Sequence, residues 1–282
     1  MTTGDEKAPN ASRQERYLKA VELLSSAHSY TRLGAVHTLV TLADEYLADK
    51  SLSTEERSTE GQRIVDVLCA YIRSPFKLAF RYDELSQDKP SPHGVYRENH
   101  QEFSLHRAEL LAEAKVRQQA LQEFHRRLRH FPQGDRRSYV EGSWSGFEYD
   151  FSNSVFFYPV DMKDSWYQNS VDFSGCTYYA SAEFSGSTYE RSAYFCDSTY
   201  YDWVFFNNST YLVKPSGAGL RTIIRRVSTG LFTMVRFPST ILFTVDRSSS
   251  TSLSTTMRLY SIALPIGARP GSTARCTEAQ FL

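Results

Sequence analysis

Apolar side chains recur at three- to four-residue spacing through the first 128 residues, which is the period of an amphipathic α-helix. The first predicted helix begins at Arg13 and carries the stripe Tyr17, Ala20, Val21, Leu23 and Leu24. A second helix is predicted over residues 30–48, and a long one over residues 101–128. We therefore expect a helical domain over residues 13–131. The polar residues 1–12 lack the apolar run of a signal peptide and are predicted to be a disordered lead.

A third helix is predicted between the second and the long one. Its start is expected near Ser58 or Thr59, because Thr59 and Gln62 have the spacing of a capping box. Its end is expected just before Pro75, which disfavours helical backbone in the residue that precedes it. Residues 82–99 contain two prolines and a glycine, and they are predicted to be a loop.

The period changes at Phe151, where a block of six residues begins to recur every eleven residues. The blocks read FSNSVF, MKDSWY, FSGCTY, FSGSTY, FCDSTY and FNNSTY. A fixed short period of this kind indicates a solenoid, because one unit cannot bury its own apolar face and must stack on a copy of itself.

Each unit of eleven contains one step of five and one of six residues, and each step carries one large side chain. The large side chains are Phe151, Phe156, Met162, Tyr167, Phe173, Tyr178, Phe184, Tyr189, Phe195, Tyr200, Phe206 and Tyr211. Small side chains precede most of them by two residues, namely Ser154, Ser165, Cys176, Ser187, Ser198, Ser209, Val160, Val171, Ala182, Ala193 and Val204. We expect both sets to point inward.

One large and one small inward residue per step resembles the pentapeptide-repeat family, and the eleven-residue spacing resembles its actinobacterial branch. Two helical segments extend the resemblance to roughly residues 13–211. YTRLGAV at residues 30–36 resembles helical hairpin repeats, and RIVDVLCAYIRSPF at residues 63–76 resembles the domain that precedes the repeats in actinobacterial proteins. The implied fold class is α+β: an N-terminal helical module, a linker over residues 132–148, and a right-handed quadrilateral parallel β-helix of three coils over residues 149–211.

After Tyr211 the aromatic blocks stop, although the period of eleven persists. Residues 212–282 contain nine Lys or Arg and two acids, a net charge of +7. Arginine closes successive units at Arg225, Arg236, Arg247, Arg258 and Arg269. If the codons of this tail were read one base out of register, they would permit Phe and Tyr at the positions that continue the eleven-residue series of large residues begun at Phe151. We interpret this tail as a frameshifted continuation of the repeat and expect it to be disordered or to form irregular or weak strand; the alternative is a genuine basic tail rich in Ser and Thr.

Charge is uneven along the chain, and the repeat is acidic. Residues 151–211 contain seven acids and two bases, Lys163 and Arg191, a net charge of −5. These acids form a candidate partner-binding face: Asp161, Asp164, Asp172, Glu183, Glu190, Asp197 and Asp202. A solvated surface that keeps the protein soluble would have the same composition.

Motifs that carry chemistry are scarce. The seven histidines and the four cysteines, Cys69, Cys176, Cys196 and Cys276, lack metal-ligand spacing, and no phosphate loop or nucleophile elbow occurs. We therefore predict no catalytic residue, no metal and no cofactor, and we expect Cys176 to be a buried inert thiol. The end of the long helix carries a basic cluster, which either interacts favourably with the carbonyl end of the helix dipole or contacts nucleic acid or anionic lipid. Its members are Arg126, Arg127, Arg129, His130, Arg136 and Arg137.

Two functions are open at this point. The first is a noncatalytic interaction or scaffold protein that binds an unknown protein partner and does not bind nucleic acid directly. The second, which the resemblance implies for an acidic solenoid, is a DNA-mimicking regulator of a topoisomerase or another nucleic-acid enzyme. No segment of the chain is long and apolar enough for a membrane span. We expect a cytoplasmic protein, membrane-tethered if a spanning segment precedes the chain, that associates with itself at the solenoid end.

Overall fold

The computed structural model describes residues 7–97, 99–131, 140–195, 197–206, 208–211, 240–241, 258–263 and 275–280. The chain divides into two units, residues 1–123 and 124–282. The first unit is helical, and the second holds all the strands.

Among the residues that the structure describes, five α-helices and one 3₁₀ turn lie between Lys7 and Arg127. They are α1 (Lys7–Leu23), α2 (Ser29–Ala48), α3 (Thr54–Arg73), the 3₁₀ turn (Lys77–Arg81), α4 (Tyr82–Leu85) and α5 (His100–Arg127). The apolar stripes of α2 and α3 are fully buried at Val36, Leu39, Leu42, Ile64, Val65 and Leu68. The helical prediction for residues 13–128 is therefore confirmed, and α4 adds a short helix where only a loop was expected. The predicted start is too late, because α1 begins at Lys7 and includes residues 7–12, which were expected to belong to a disordered lead.

The predicted start of α3 is wrong by about one turn. The helix begins at Thr54, because Ser53 and Glu56 form the capping box: Ser53 Oγ accepts from the Glu56 amide at 3.2 Å, and the Ser53 amide donates to Glu56 at 2.8 Å. Thr59 and Gln62 lie inside the helix. Both pairs fit the capping pattern, and the earlier one is used because it satisfies backbone N–H groups while lengthening the helix.

A buried ionic network joins α2, α3 and α5. Glu113 accepts from Arg117 Nε at 2.7 Å, from Arg32 Nη2 at 2.8 Å and from the Tyr71 hydroxyl at 3.1 Å. Arg117 also donates to the carbonyl oxygen of Ile72 at 2.7 Å. Burial, and then the Glu113 carboxylate, raises the pKa of Tyr71. Arg32 and Tyr71 belong to the two helical segments quoted above, so the network gives those segments a structural role.

The second unit contains twelve strands of two residues that form four parallel sheets. The strands are β3 (Tyr149–Asp150), β4 (Val155–Phe156), β5 (Val160–Asp161), β6 (Trp166–Tyr167), β7 (Val171–Asp172), β8 (Thr177–Tyr178), β9 (Ala182–Glu183), β10 (Thr188–Tyr189), β11 (Ala193–Tyr194), β12 (Thr199–Tyr200), β13 (Val204–Phe205) and β14 (Thr210–Tyr211). The sheets are β3–β7–β11, β4–β8–β12, β5–β9–β13 and β6–β10–β14. The chain thus returns to the same sheet after every fourth strand, which is compatible with a β-helix solenoid.

The large residues of the repeat point inward, as predicted. Nine are completely or almost completely buried: Phe151, Phe156, Met162, Tyr167, Phe173, Tyr178, Phe184, Tyr189 and, before the first block, Tyr149. Their rings stack between successive coils, for example Tyr167 on Tyr189 at 5.2 Å between centroids. Phe195, Tyr200 and Phe206 of the last coil are only half-buried. Self-association at that end stays a prediction.

Hydrogen bonds explain three of the small inward serines, Ser187, Ser198 and Ser209. Ser187 Oγ donates to the Met162 carbonyl oxygen at 3.0 Å and accepts from the Ser165 amide at 3.3 Å. Ser198 donates in the same way to the carbonyl oxygen of Phe173. Each of these hydroxyl groups therefore connects two coils.

The third residue of each block has a positive φ. The six residues are Asn153, Asp164, Gly175, Gly186, Asp197 and Asn208, with φ between 55° and 72°. Glycine, asparagine and aspartate tolerate this left-handed backbone better than other residues do. The turn geometry thus accounts for the restriction of this position to Asn, Asp and Gly.

The end of α5 closes the first coil within the second unit. The Phe124 ring lies 5.5 Å from Tyr149 and 5.7 Å from Phe151, measured between centroids. The Trp166 amide donates to the Leu128 carbonyl oxygen at 2.8 Å, whereas in the next coil Thr188 donates to Ser165 of the repeat. Residues 140–148, predicted as part of a linker, contain β2 (Val140–Glu141), paired with β1 (Arg129–His130), and the buried Trp144.

Three further strands are described in the tail. They are β15 (Thr240–Ile241), β16 (Arg258–Ala263) and β17 (Arg275–Gln280), and they pair antiparallel. Short strands in the tail are one of the two outcomes expected for it; β16 contains Leu259, Tyr260 and Ile262, which are residue types that favour strands. The rest of that expectation lies outside the described residues.

Candidate interaction surface

Two pairs of carboxylates lie side by side on neighbouring strands. Asp161 is the register partner of Glu183, and Asp172 is the partner of Asp150, which precedes the first block and was missed by counting from Phe151. Like charges at the strand spacing of about 4.8 Å repel each other. Local hydrogen bonds offset part of that repulsion, since Asp172 accepts from the Ser174 amide at 2.7 Å.

The remaining acids of the predicted face are Asp164, Glu190, Asp197 and Asp202. Asp164 forms an ion pair with Arg129 at 3.2 Å, and Glu190 accepts from the Trp166 indole at 2.8 Å. Asp197 and Asp202 are exposed in turns. The structure therefore distributes the seven acids over several sheets and turns, and it brings only Asp161 and Glu183 together as register partners.

Two pairs of aromatic rings on the outside of the last two coils were missed in the sequence. We call Tyr179, Tyr201, Trp203 and Phe205 the outer aromatic group. The Tyr179 and Tyr201 rings stack at 4.8 Å, and those of Trp203 and Phe205 stack at 6.4 Å. Tyr201 is 38% exposed and Trp203 is 39% exposed. The available signal was position: these four occupy variable positions of the eleven, not the inward ones.

The thiol of Cys176 occupies the slot that serine fills in other blocks. It is fully buried and donates to the Phe151 carbonyl oxygen at 3.1 Å. Burial raises its pKa to about 12. A thiol with so high a pKa is protonated at neutral pH and is a poor nucleophile, so the expectation of a buried residue is confirmed. Cys69 is also buried.

The basic cluster at the end of α5 contacts other residues of the second unit, residues 124–282, which we call the strand unit. The Arg127 guanidinium lies over the Trp144 ring at 5.1 Å, and Arg129 donates to the Lys163 carbonyl oxygen at 3.2 Å. His125, one turn earlier, donates from Nε2 to the same oxygen at 2.6 Å, and burial lowers its pKa. Predicted members Arg136 and Arg137 lie outside the described residues.

Within the described part of the chain, no three His, Cys, Asp or Glu side chains are placed to hold a metal ion together. The helices in that part are each too short or too polar to cross a membrane.

The fold defines a class: an α+β chain in which helices precede a repeat of short parallel strands stacked in four sheets. Comparison with protein-family models, with curated proteins and with solved structures found no match to this chain.

Proposed function

We propose that residues 149–211 form a right-handed four-sided β-helix of the pentapeptide-repeat type, and that the chain is a noncatalytic interaction protein which binds a protein partner through this region. The observation that carries the proposal is the register of the four sheets. Tyr149, Val171 and Ala193 are successive partners on one sheet, and the other three sheets repeat this step. Side chains on the outside of such sheets form columns at fixed spacing, which is the kind of extended surface that solenoid proteins use for binding.

The chemistry of the inward groups supports a noncatalytic role. The hydroxyl groups of Ser187, Ser198 and Ser209 donate to backbone carbonyl oxygens of the preceding coil. The Cys176 thiol does the same. These groups stabilise the stack and are removed from solvent, so recognition falls to the outside of the coil.

Site-specific photo-cross-linking tests this function. A photoreactive amino acid replaces the exposed Asp202 or Arg191 of the strand unit in the full chain, and the exposed Leu18 of α1 provides the control. After irradiation in an actinobacterial extract, we expect the probes at Asp202 and Arg191 to be cross-linked to the same partner protein. Linkage from Leu18 alone, or no specific product from any position, would overturn the proposal.

The acidic pairs favour a second function, a DNA-mimicking regulator of a topoisomerase. Asp161 with Glu183 and Asp150 with Asp172 place two negative charges side by side on each of two sheets, and such a field would attract a DNA-binding groove. A gyrase supercoiling assay separates the two functions. A mimic inhibits or protects the enzyme at low concentration, and this effect weakens in Asp161→Asn/Glu183→Gln; a scaffold leaves supercoiling unchanged.

A further inference from the structure

The outward side of α5 carries a row of apolar side chains. Leu105 is 65% exposed, Leu111 is 57% exposed, and Ala108 lies exposed midway between them. Side chains three residues apart on an α-helix lie on the same side of it, so these three form one continuous surface. We call Leu105, Ala108 and Leu111 the α5 apolar face. A helix that packs against another helix presents a row of this kind.

Charges of opposite sign flank the α5 apolar face. Arg107 precedes Ala108 and Glu109 follows it, so they lie about 100° to either side of Ala108 around the helix axis. Glu109 is exposed. Arg107 Nη2 lies 3.3 Å from Asp88 Oδ1, and the side chain of Asp88 is 98% exposed. An ion pair with so exposed a carboxylate is weak, so Arg107 can exchange it for another partner.

The arrangement around Ala108 is complementary to itself. When two copies of α5 pair antiparallel about a two-fold axis through Ala108, a residue that follows Ala108 in one copy faces the residue equally far before it in the other. Leu111 of each copy then faces Leu105 of the other, and Glu109 faces Arg107. The two Ala108 side chains meet on the axis, where their small size lets the helices approach closely.

We propose that the α5 apolar face is a dimer interface, at which α5 pairs antiparallel with α5 of a second copy of this chain. The proposal is independent of the proposed function and of the self-association expected at the solenoid end, because all these residues belong to the first unit. One pair of helices buries less than the about 1,200 Å² of a standard interface, so we expect a weak dimer with a Kd of about 10–100 μM.

Sedimentation equilibrium of the full chain, from well below to well above that Kd, tests the apolar contact. We expect Leu105→Glu/Leu111→Glu to weaken dimerisation at least about thirtyfold, because two-fold symmetry places four carboxylates in the interface. The matched control is Leu18→Glu, since Leu18 is 59% exposed on α1, and it should dimerise like the wild type. A wild-type chain that stays monomeric throughout, or a double variant that dimerises undiminished, would overturn the proposal.

Reversal of the flanking charges tests who the partner is. Glu109→Arg alone, or Arg107→Glu alone, should weaken the dimer about three- to tenfold, more at low salt than at high salt, because like charges then face each other. Arg107→Glu/Glu109→Arg should restore it, since both reversed charges meet again across the two-fold axis. Failure of the double reversal to recover what either single reversal loses would exclude this pairing.

Disulfide formation tests the antiparallel register. Ala108→Cys should yield a covalent dimer on mild oxidation, because its two copies lie at a distance that a disulfide can span. Gln122→Cys, also exposed on α5, is the matched control: in the antiparallel pair its two copies lie about 40 Å apart. The wild-type chain measures the background from its own cysteines. Equal yields from the two variants would contradict the register, and unchanged helical circular dichroism shows that each variant is folded.

Discussion

Replacing Ser187 with leucine tests the inward packing of the repeat most directly. Ser187 is fully buried in the middle coil, and its hydroxyl group joins Met162 of the preceding coil to Ser165. Ser187→Ala leaves the Met162 carbonyl and the buried Ser165 amide without this partner, at a cost of about 1–3 kcal/mol. Leucine also forces extra carbon atoms between two coils, and overpacking adds about 1–3 kcal/mol. We therefore expect Ser187→Leu to lower the free energy of unfolding by about 2–6 kcal/mol.

Tryptophan fluorescence makes the measurement specific for the strand unit. The three tryptophans, Trp144, Trp166 and Trp203, all lie in it, so their emission during urea unfolding reports on this unit, which includes the end of α5 that contacts Trp144. The matched control is Ser192→Leu, which makes the same exchange at an exposed position. The reasoning is refuted if Ser187→Leu unfolds within about 0.5 kcal/mol of the Ser192→Leu control, the range usual for surface substitutions.

Three further predictions concern single side chains. Cys176 should resist a thiol reagent in the folded chain, and Cys176→Ser should unfold at the same urea concentration or a higher one; fast labelling of Cys176 would contradict its burial. Burial lowers the folded-state pKa of His125 below its ordinary 6.5. The neutral form thus stabilises the strand unit fully above pH 6.5, and this stability is lost as pH falls through the lowered pKa. His125→Gln should remove that part of the pH dependence of tryptophan-detected unfolding. Glu113→Ala should cost about 3–5 kcal/mol in helix unfolding followed by circular dichroism, because Arg117 loses a buried partner, whereas the exposed Glu109→Ala should cost almost nothing.

Periodicity alone was enough to predict the inward residues of the repeat. Large and small side chains alternate by five and six residues, and only a coil that stacks on itself can bury all of them. The buried Phe184 and the hydrogen-bonded Ser187 follow from that pattern. The positions of α2 and α5 followed from the helical period in the same way, because each helix buries one face.

The start of α3 and the residues that close the first coil could be assigned only from the tertiary structure. The start of α3 depends on which of two similar capping pairs is used, and Ser53 with Glu56 is chosen by the backbone groups that it satisfies. The closing of the first coil by Phe124, Leu128 and Trp144 has no periodic signal, since these residues occur once and lie outside the blocks.

The candidate interaction surface, too, was predicted only in part from the sequence. The sequence by itself determined that the repeat is acidic and that its inward positions are aromatic, since both follow from composition and period. Only the tertiary structure decided which charges become neighbours, because Asp161 and Glu183 meet through a register of 22 residues. It also decided which rings face solvent, because Tyr201 and Trp203 differ from the inward rings in direction and not in type. Side-chain direction in a coil is fixed by the strand and turn geometry around each residue, and a residue's type does not record it.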